Sequence, residues 1–306
     1  MTDTRRAVLD ALADGPVTGP ELAETLGISR AAVWKHVEAL RDAGFAVESG
    51  RDGYHIASVP DYGALAVEHG LDAPFTVEYH DELDSTNARA RALAGEGATD
   101  FAVLADRQTA GRGRLDREWD SPTGGVWMSI LVRPALPAPR VPVLTLAAAV
   151  AVAETAQELG ADASIKWPND VLLGDDKVAG VLTEMEGEAD RVSWVVLGIG
   201  LNANVDPETL PEGATSLSAA LGEVDRRALV RRVLERFDDL RNDPDRALDL
   251  WRDHAATLGR RVRVDTPSGI VEGEAVAVTD SGALVVETGE GRETVHAGDC
   301  EHLRPT

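Results

Sequence analysis

The N-terminal part of the chain changes from helical to extended periodicity of its apolar positions. These positions predict one helix near residues 7–12 and a second over residues 21–26, and Ser29 is a typical N-cap for a third. The third helix carries an inward stripe at helical spacing, formed by Val33, Val37 and Leu40. Alternating residues around a glycine turn predict a hairpin over residues 45–56. This order is typical of a winged helix-turn-helix domain over residues 1–60.

The third predicted helix turns polar and basic residues outward. Ser29, Arg30, Trp34 and Lys35 lie at its start or on the face opposite the apolar stripe, where a major-groove reader carries its DNA contacts. An exposed Trp34 is equally typical of a protein interface. DNA binding and protein docking are therefore both open, and a linker is expected at residues 60–63.

Residues 66–256 predict a central domain in which strands and helices follow no strict alternation. The strand candidates are residues 75–80, 101–105, 126–132, 178–184 and 192–198. The helix candidates are residues 85–94, 143–159, 226–240 and 247–256. Residues 144–152 are apolar nearly all round, so we expect that helix to be buried against the sheet. The order predicts an α+β domain around one mixed sheet.

The C-terminal residues 257–306 change character again. Apolar and polar residues alternate with period two in segments separated by glycine turns, at residues 261–264, 271–276, 283–287 and 292–295. This pattern predicts a small β-barrel.

The charge balance is strongly acidic. The chain of 306 residues has 53 acidic and 30 basic side chains, a net charge of −23, which disfavours nucleic-acid binding. Residues 1–60 hold six Lys/Arg and nine Asp/Glu, so the N-terminal domain is much less acidic than the rest. The scattered carboxylates suggest a halophilic host, because high internal salt screens such charge within a few ångströms.

Other features of the composition narrow the class of protein and the kinds of site that are expected. The chain has 43% hydrophobic residues, a polar N-terminus and no apolar run of the roughly 18 residues that span a bilayer, so a globular protein of the cytoplasm without membrane contact is expected. The single cysteine, Cys300, cannot form an intramolecular disulfide and is expected to be inert packing. No metal-ligand spacing, and hence no metal site, is expected from His36, His55, His69, His80, His254, His296 and His302.

Residues 108–114, Gln-Thr-Ala-Gly-Arg-Gly-Arg, carry the most specific chemistry. Their small residues leave backbone amides open beside the permanent charges of Arg112 and Arg114, which predicts an anion-holding loop, with a basic surface turn as the alternative. The loop lacks the Lys-Ser/Thr pair of nucleotide hydrolases, and Asp116 stands where a dinucleotide fingerprint has its third glycine.

Further motifs flank this loop, and each also has a structural interpretation. Ser85-Thr86-Asn87 begins a predicted helix, where capping is the default. Residues 166–170, Lys-Trp-Pro-Asn-Asp, hold more polar groups than a turn needs. Lys177 begins a buried strand and needs an anionic partner. The glycines of residues 198–204 allow a flat ligand to approach, and Asn202 offers a two-sided amide.

Taken in this order, the motifs closely resemble those of the biotin protein ligases. With a winged helix ahead and a barrel behind, nearly the whole chain resembles the bifunctional group that ligates biotin and represses transcription. The resemblance implies a biotin/lipoate ligase-like central domain and an SH3-like C-terminal barrel. It also implies activation of biotin by ATP to biotinyl-5′-AMP, with Mg²⁺ entering on ATP, and transfer to a lysine of a biotin carboxyl carrier domain. Repression implies a homodimer on operator DNA.

The resemblance also implies roles for individual residues. The biotin-binding set is Ser85, Thr86, Asn87, Gln108, Arg112, Gly113, Arg114 and Lys177. The nucleotide-binding set is Arg112, Arg114, Trp119, Lys166, Asn169 and Asn202. Catalysis is expected from Arg112, Arg114 and Lys177, because a carboxylate must meet the α-phosphate and their charge offsets the repulsion. Asp170 is the candidate contact for Mg²⁺, and Trp119 and Trp127 either wall off the pocket or pack in the core.

One departure from the family pattern and several alternatives remain. Leu115-Asp116 stands where the family often has a basic residue and glycine. Asp116 therefore either pairs with Arg117 or a neighbour and stiffens the loop, or it weakens retention of the adenylate. A lipoate ligase is the alternative enzyme. A biotin-sensing regulator without ligase activity is disfavoured by the presence of Arg114 and Lys177. An active ligase whose N-terminal domain no longer represses is also consistent with the sequence.

Overall fold

The computed structural model describes residues 2–13, 15–188 and 191–303, without the side chains of Thr2, Asp3 and Asp116. The chain divides into two compact units. The first runs to Ala73 and includes Asp225–Arg231. The second contains Pro74–Val224 and the residues from Arg232 onward.

The first unit contains the predicted helices and hairpin. Its elements are α1 (Thr2–Ala11), α2 (Gly19–Thr25), α3 (Arg30–Asp42), β1 (Ala46–Gly50), β2 (Gly53–Ser58) and α4 (Ala64–Glu68). Its core consists of Val8, Leu9, Leu12, Leu22, Val33, Val37, Leu40, Phe45 and Val47. The inward stripe of α3 is therefore confirmed. Helix α4 was not expected, because it is only five residues long and follows directly on the predicted linker.

Local chemistry fixes the ends of these elements. Thr18 and Glu21 form a capping box at the start of α2, and Ser29 caps α3 by accepting from the Ala32 amide. Gly53 has a φ of 117°, and a Cβ at this position would lie 2.3 Å from the Val17 carbonyl oxygen. The hairpin therefore requires glycine where the chain before α2 passes it.

A seven-stranded mixed sheet forms the centre of the second unit. Its strands are β3 (Thr76–Leu83), β4 (Phe101–Gln108), β5 (Val126–Val132), β6 (Ala163–Lys166), β7 (Asp170–Leu173), β8 (Asp176–Gly187) and β9 (Val192–Leu201). Their order is β3-β4-β5-β9-β8-β7-β6, and only the β3–β4 pair is parallel. The helices that belong wholly to this unit are α5 (Thr86–Gly95), α6 (Pro142–Glu158), α7 (Leu217–Leu221) and α9 (Pro244–His254). Helix α8 (Arg226–Arg241) begins within Asp225–Arg231 of the first unit and continues into the second.

All the predicted strands of this sheet are present, and most extend beyond their predicted ends. The β6–β7 hairpin was missed because each strand has only four residues and a Trp-Pro-Asn turn joins them. Helix α6 is buried along most of its length, as expected. The segment Ala138–Glu158 is long and apolar enough to cross a bilayer, but 67% of its most apolar window is buried, as in a core helix.

The C-terminal part of the second unit is a five-stranded antiparallel sheet. Its strands are β10 (Arg261–Thr266), β11 (Gly269–Val278), β12 (Leu284–Thr288), β13 (Gly291–Val295) and β14 (Asp299–His302). The order is β13-β12-β11-β10-β14. The Trp167 indole donates to the Gly282 carbonyl oxygen at 3.0 Å and so joins this sheet to the β6–β7 connection. The predicted small β domain is confirmed.

Candidate functional site

One cavity of about 1410 Å³ in the second unit brings the separated motifs together. Every ligand-binding residue predicted from the sequence lies in its wall, namely Ser85, Thr86, Asn87, Gln108, Arg112, Gly113, Arg114, Trp119, Lys166, Asn169, Lys177 and Asn202. The uncharged residues Ser85, Thr86, Asn87 and Gln108 form the neutral end of the wall, and the ion pair of Arg91 with Glu184 lines the cavity beside them. The cationic end is formed by Arg112, Arg114, Lys166 and Lys177, with Asp170 among them.

The neutral end is a set of hydrogen bonds between buried and half-buried groups. Thr86 donates to Gln108 Oε1 twice, from its amide at 2.8 Å and from its hydroxyl at 3.0 Å. The other end of the Gln108 amide donates to Ser121 Oγ at 3.0 Å. Ser85 caps α5, since its hydroxyl oxygen accepts from the Ala88 amide. The capping interpretation of this motif is therefore correct, and it holds the same residues at the cavity.

Asn87 lies flat against the sheet. Its Nδ2 donates to Glu184 Oε2 at 2.7 Å, and its Oδ1 lies 2.5 Å from Ser129 Oγ. Gly198 lies beneath it, and a Cβ there would come within 2.2 Å of Asn87 Oδ1. The absence of a side chain at Gly198 thus makes room for a side chain of the protein.

The loop with the Gly-Arg-Gly-Arg sequence folds back on itself. The Gly113 amide donates to the Arg117 carbonyl oxygen at 2.8 Å, and the Trp119 amide donates to the Gly111 carbonyl oxygen at 3.0 Å. The amides of Thr109 and Ala110 are bonded to the end of β3 and to Asp84. The sequence predicted open backbone amides in this loop. That prediction is wrong for Thr109, Ala110 and Gly113, because their amides donate to carbonyl oxygens of the loop itself or of the residues at and just after the end of β3. The positive charge of the loop comes from its arginine side chains.

Arg114 ties this loop to two other segments. Its guanidinium donates to Asn169 Oδ1 at 2.9 Å and to the Gly298 carbonyl oxygen at 2.7 Å. Burial lowers the pKa of Arg114, and the charges of Asp170 and Asp299 oppose that shift. The guanidinium stays protonated, because an arginine side chain does not lose its proton in a protein.

Arg117 is paired with Asp299, the first residue of β14. The expected pairing of Arg117 with Asp116 falls on a side chain outside the described residues. Leu115 lies at the tip of this loop with a φ of 56° and is 74% exposed. The C-terminal sheet thus contributes both a carbonyl group and a carboxylate to the anchoring of the loop.

Asp170 joins the two lysines of the cationic end. Its carboxylate oxygens lie 3.2 Å from Lys166 Nζ and 2.5 Å from Lys177 Nζ, and its side chain is only 14% exposed. Lys177 therefore has the anionic partner that its strand position demands. Within residues 2–13, 15–188 and 191–303, no group of three or more His, Cys, Asp or Glu side chains is placed to hold a metal ion.

Trp119 covers the floor of the cavity. Lys177 Nζ lies 4.9 Å from the centroid of its ring. A Cβ at Gly200 would come within 2.7 Å of the indole, and a Cβ at Gly180 within 3.3 Å. The flat group beside these glycines is an indole of the chain itself. Trp127 is fully buried, donates to the Pro122 carbonyl oxygen and does not line the cavity, so core packing is correct for it.

Two asparagine side chains of the wall form hydrogen bonds with the protein and keep further hydrogen-bonding positions. Asn169 accepts from Arg114 and donates from Nδ2 to the Val181 carbonyl oxygen at 2.8 Å. Asn202 donates from Nδ2 to the Thr215 carbonyl oxygen at 3.0 Å. Both side chains are therefore held in one orientation at the cavity.

Four residues at the site were missed from the sequence: Ser129, Glu184, Gly298 and Asp299. Ser129 left a signal, because it is the one polar residue of β5, whose neighbours are all apolar and buried. A buried hydroxyl in a central strand needs partners. The contacts of Gly298 and Asp299 left none, because they depend on how the C-terminal sheet packs.

The predicted DNA-contacting residues lie together at α3. Arg30, Trp34 and Lys35 are exposed, Trp34 by 55%, and Ser29 is the cap before them. The face opposite the core stripe of α3 thus carries basic and aromatic side chains together with Glu38, which pairs with Arg41. Cys300 is buried beside the cavity, and burial raises the pKa of its thiol to about 12, so it remains protonated.

Family comparisons define the class of protein. Residues 81–202 match the biotin/lipoate A/B protein ligase family, and residues 257–303 match the biotin protein ligase C-terminal domain. Residues 4–55 match an HTH domain. The fold and the site are therefore those of a biotin protein ligase with an N-terminal helix-turn-helix.

Individual relatives define the family more closely. The chain is 40% identical to the bifunctional ligase/repressor BirA of Bacillus subtilis, over 93% of each protein. It is 37% identical to the biotin–[acetyl-CoA-carboxylase] ligase of Mycobacterium tuberculosis, over 73% of this chain and 87% of that protein. The Aquifex aeolicus biotin protein ligase, solved with biotin and ATP, superposes with a TM-score of 0.65 at 29% identity, covering 75% of this chain and 99% of that one. The chain belongs to the family of bifunctional biotin ligase/repressors.

Proposed function

We propose that this protein activates biotin with ATP to biotinyl-5′-AMP and transfers the biotinyl group to a lysine of a biotin carboxyl carrier domain. The observation that carries the proposal is the single cavity with a neutral hydrogen-bonding end and a cationic end. Biotin has the matching groups, a neutral ureido ring and a carboxylate joined by an aliphatic chain. Family membership supports the same activity.

The cationic end suits the first chemical step. The biotin carboxylate attacks the α-phosphate of ATP, a phosphoanhydride bond breaks, and pyrophosphate leaves. Arg112, Arg114 and Lys177 offset the repulsion between the two anions and stabilise the charge on the transferring phosphoryl group. Trp119, Lys166, Asn169 and Asn202 contact the nucleotide, with Asn202 facing the adenine edge and its amide held by the Thr215 carbonyl.

The second step needs no covalent side-chain nucleophile. The amine of the carrier lysine attacks the acyl carbon of the mixed anhydride, the amide forms, and AMP leaves. Enclosure of the anhydride protects it from water until the amine arrives. The loop of residues 111–119 is placed to provide this enclosure, because it carries Arg112 and Arg114 and is anchored by replaceable polar contacts.

Magnesium enters with ATP as its phosphate counter-ion. When bound, it supplies positive charge to the phosphates. The described side chains fit a metal carried by the nucleotide better than one held by the protein, because Asp170, the candidate contact, already pairs with Lys166 and Lys177.

Labelled biotin tests the ligase proposal directly. Incubation of the full chain with labelled biotin, ATP, Mg²⁺ and a carboxylase carrier domain is expected to label the carrier. Omission of the carrier is expected to leave biotinyl-5′-AMP bound to the protein. Binding of biotin without formation of the adenylate in several salt concentrations would instead favour the sensor without ligase activity.

We also propose that the first unit binds operator DNA as part of a homodimer and represses transcription in response to biotin. The exposed Arg30, Trp34 and Lys35 on α3 support this role. A two-fold dimer should bind paired half-sites. Binding to genomic fragments, measured across salt concentrations, should show a sequence-specific complex with a negative salt slope. The absence of any complex would leave ligation as the sole activity.

The acidic surface leads to a proposal about the setting of this chemistry. We propose that the protein works in a cytoplasm of high salt concentration, where its net charge of −23 is screened. Adenylate formation should then be retained or increased in molar KCl. Highest activity in dilute buffer, with loss in molar KCl, would contradict this proposal.

A further inference from the structure

The hydrogen-bond direction at the neutral end is fixed by two groups that each have a single role. The backbone N–H of Thr86 can only donate, so the end of the Gln108 amide that faces it is the carbonyl oxygen. The carboxylate of Glu184 pairs with Arg91 and can only accept, so the end of the Asn87 amide that faces it is the NH₂ group. Neither amide can turn over without bringing two donors or two acceptors together.

Ser129 lies between these fixed ends. Its hydroxyl oxygen is 2.7 Å from Thr86 Oγ1 and 2.5 Å from Asn87 Oδ1. The Thr86 hydroxyl gives its proton to Gln108, and Asn87 Oδ1 is a carbonyl oxygen, so both atoms can only accept from Ser129. Ser129 has one proton for two acceptors. Among the described residues, one of these two oxygens therefore keeps an acceptor position that the network does not fill.

The two residues that carry these acceptor oxygens line the cavity. Thr86 and Asn87 belong to the cavity wall, whereas Ser129 is fully buried and does not. Ser85 adds the opposite group, because its oxygen accepts from the Ala88 amide at 3.4 Å and its hydroxyl donates to no acceptor within the described part of the chain. This end thus presents an acceptor for an N–H group beside a donor for a carbonyl oxygen. A cyclic urea has these two groups side by side.

We infer that Ser129 and Glu184 are positioning residues that set the selectivity of the neutral end for the ureido ring. Glu184 fixes the orientation of the Asn87 amide. Because Ser129 can donate to only one of its two acceptors, a ring N–H of the ligand donates to the acceptor that remains. The inference rests on the proposed function, because it takes biotin as the ligand. It adds two residues that act through Thr86 and Asn87.

The test uses the full chain and titration calorimetry with biotin alone, so that it does not depend on catalysis. Glu184→Gln keeps the shape of the side chain but lets the Asn87 amide turn over, which replaces the acceptor by a donor. The Kd for biotin is expected to rise about tenfold, as for a mismatched buried polar group. The matched control is Glu186→Gln, two residues further along β8 and exposed, which should leave the Kd unchanged.

A second ligand distinguishes positioning from a general loss of structure. In a lactam analogue, CH₂ replaces one ring N–H and the shape is preserved. The unaltered protein should bind biotin at least tenfold more tightly than one of the two such lactams, because that lactam leaves the acceptor unfilled. In Glu184→Gln this preference should fall severalfold. Ser129→Ala gives a second variant, with an expected rise of about fivefold in the biotin Kd and an unaltered KM for ATP.

The outcomes separate this inference from the proposed function. A protein that binds biotin with the expected selectivity but makes no adenylate would refute the ligase and leave the inference standing. Unchanged biotin Kd and lactam preference in both variants would overturn the inference while the ligase stands. Equal weakening for biotin and both lactams, together with a lower Tm, would also overturn it, since Ser129 and Glu184 would then be purely structural.

Discussion

The two ends of the cavity are stabilised in different ways. At the neutral end, buried side chains bond to one another, and Thr86 alone gives two hydrogen bonds to Gln108. At the cationic end, charged groups that are partly exposed pair with carboxylates of the protein, with Asp170 between Lys166 and Lys177. The hydrogen bonds of the neutral end allow only one arrangement of its side chains. In the ion pairs of the cationic end, another anion can replace the carboxylate of the protein.

This difference indicates how each end is suited to a different part of the substrates. Under the proposed function, the ureido ring meets a preformed pocket, because the amides of Asn87 and Gln108 cannot turn over. A carboxylate and a phosphate enter a region where Asp170 already provides the same chemistry. Changes at the neutral end should therefore alter biotin affinity, whereas changes at the cationic end should alter the rate of adenylation.

The largest expected effect is the loss of a cation. Lys177→Met removes one of the two ammonium groups on Asp170 and leaves that carboxylate closer to the incoming anions. Removal of one group that stabilises a developing charge costs on the order of 10²- to 10³-fold in kcat. Adenylate formation from biotin and ATP, measured as pyrophosphate release, should fall by that factor, with a much smaller change in biotin Kd.

Lys35 provides the matched control for this lysine. It is exposed on α3, so Lys35→Met should leave pyrophosphate release unchanged and weaken DNA binding. Lys177→Met should do the reverse. If Lys177→Met lowered biotin affinity by the same factor as the rate of pyrophosphate release, the two ends would not have the separate roles described above.

A methyl group at Gly198 should damage the neutral end without touching any charge. In Gly198→Ala the new Cβ would lie 2.2 Å from Asn87 Oδ1, with the sheet on the other side, so the Asn87 amide must move. We expect the biotin Kd to rise on the order of 100-fold, since both partners of that amide are then lost. The KM for ATP should change little, which titration calorimetry and initial rates can establish together.

Gly289→Ala is the control for the added methyl group. Gly289 has no heavy atom within 4 Å of an added Cβ, and its φ is not in the positive range that disfavours L residues. Its biotin Kd should be that of the unaltered protein. A Gly198→Ala variant with the same Kd would mean that Asn87 can leave its place at no cost.

The neutral and cationic ends also differ in how far the sequence predicts them. Ser85, Thr86, Asn87 and Gln108 line the cavity because they stand at the start of α5 and the end of β4. Their true partners depend on neighbouring strands. The register that places Gly198 beside Ser129 cannot be read from either segment alone.

At the cationic end, residue type was predictable and pairing was not. A lysine at the start of a buried strand predicts an anion nearby, and the structure supplies Asp170 from the adjacent strand β7. Strand β7 was itself missed, because four residues after a proline turn carry too little periodicity. The anchoring of Arg114 by Gly298 connects residues far apart in the chain, and composition gives no sign of it.

The support beneath the cationic end should depend on pH. Thr257 Oγ1 accepts from the Trp167 amide at 2.9 Å and donates to His302 Nε2 at 2.9 Å, an arrangement that needs neutral His302. Burial, with help from Arg260 and Lys166, lowers the pKa of His302 from 6.5 to about 4. The unfolded chain therefore binds this proton more readily, so the stabilisation is present above about pH 6.5 and is lost as the pH falls toward 4.

His302→Gln separates this contribution from the other acidic transitions. Glutamine can accept from Thr257 but cannot take up the proton, so its Tm should fall less between pH 7 and pH 5 than that of the unaltered protein. His36→Gln, in the first unit, is the control and should keep the original pH slope. Parallel Tm curves for all the proteins would show that His302 does not contribute.

The smallest expected effect concerns the anchor of the loop of residues 111–119. Arg117 and Asp299 are 64% and 34% exposed, and such pairs contribute about 0.2–1 kcal/mol, so Asp299→Asn should change loop opening by at most about fivefold. Trypsin cleavage in the loop of the ligand-free protein should accelerate by that factor. With biotin and ATP present the difference should vanish, because the adenylate then holds the arginines. Asp265→Asn, exposed on the neighbouring strand β10, is the control. Equal cleavage of all three proteins without ligand would mean that the cationic end is as fixed as the neutral one.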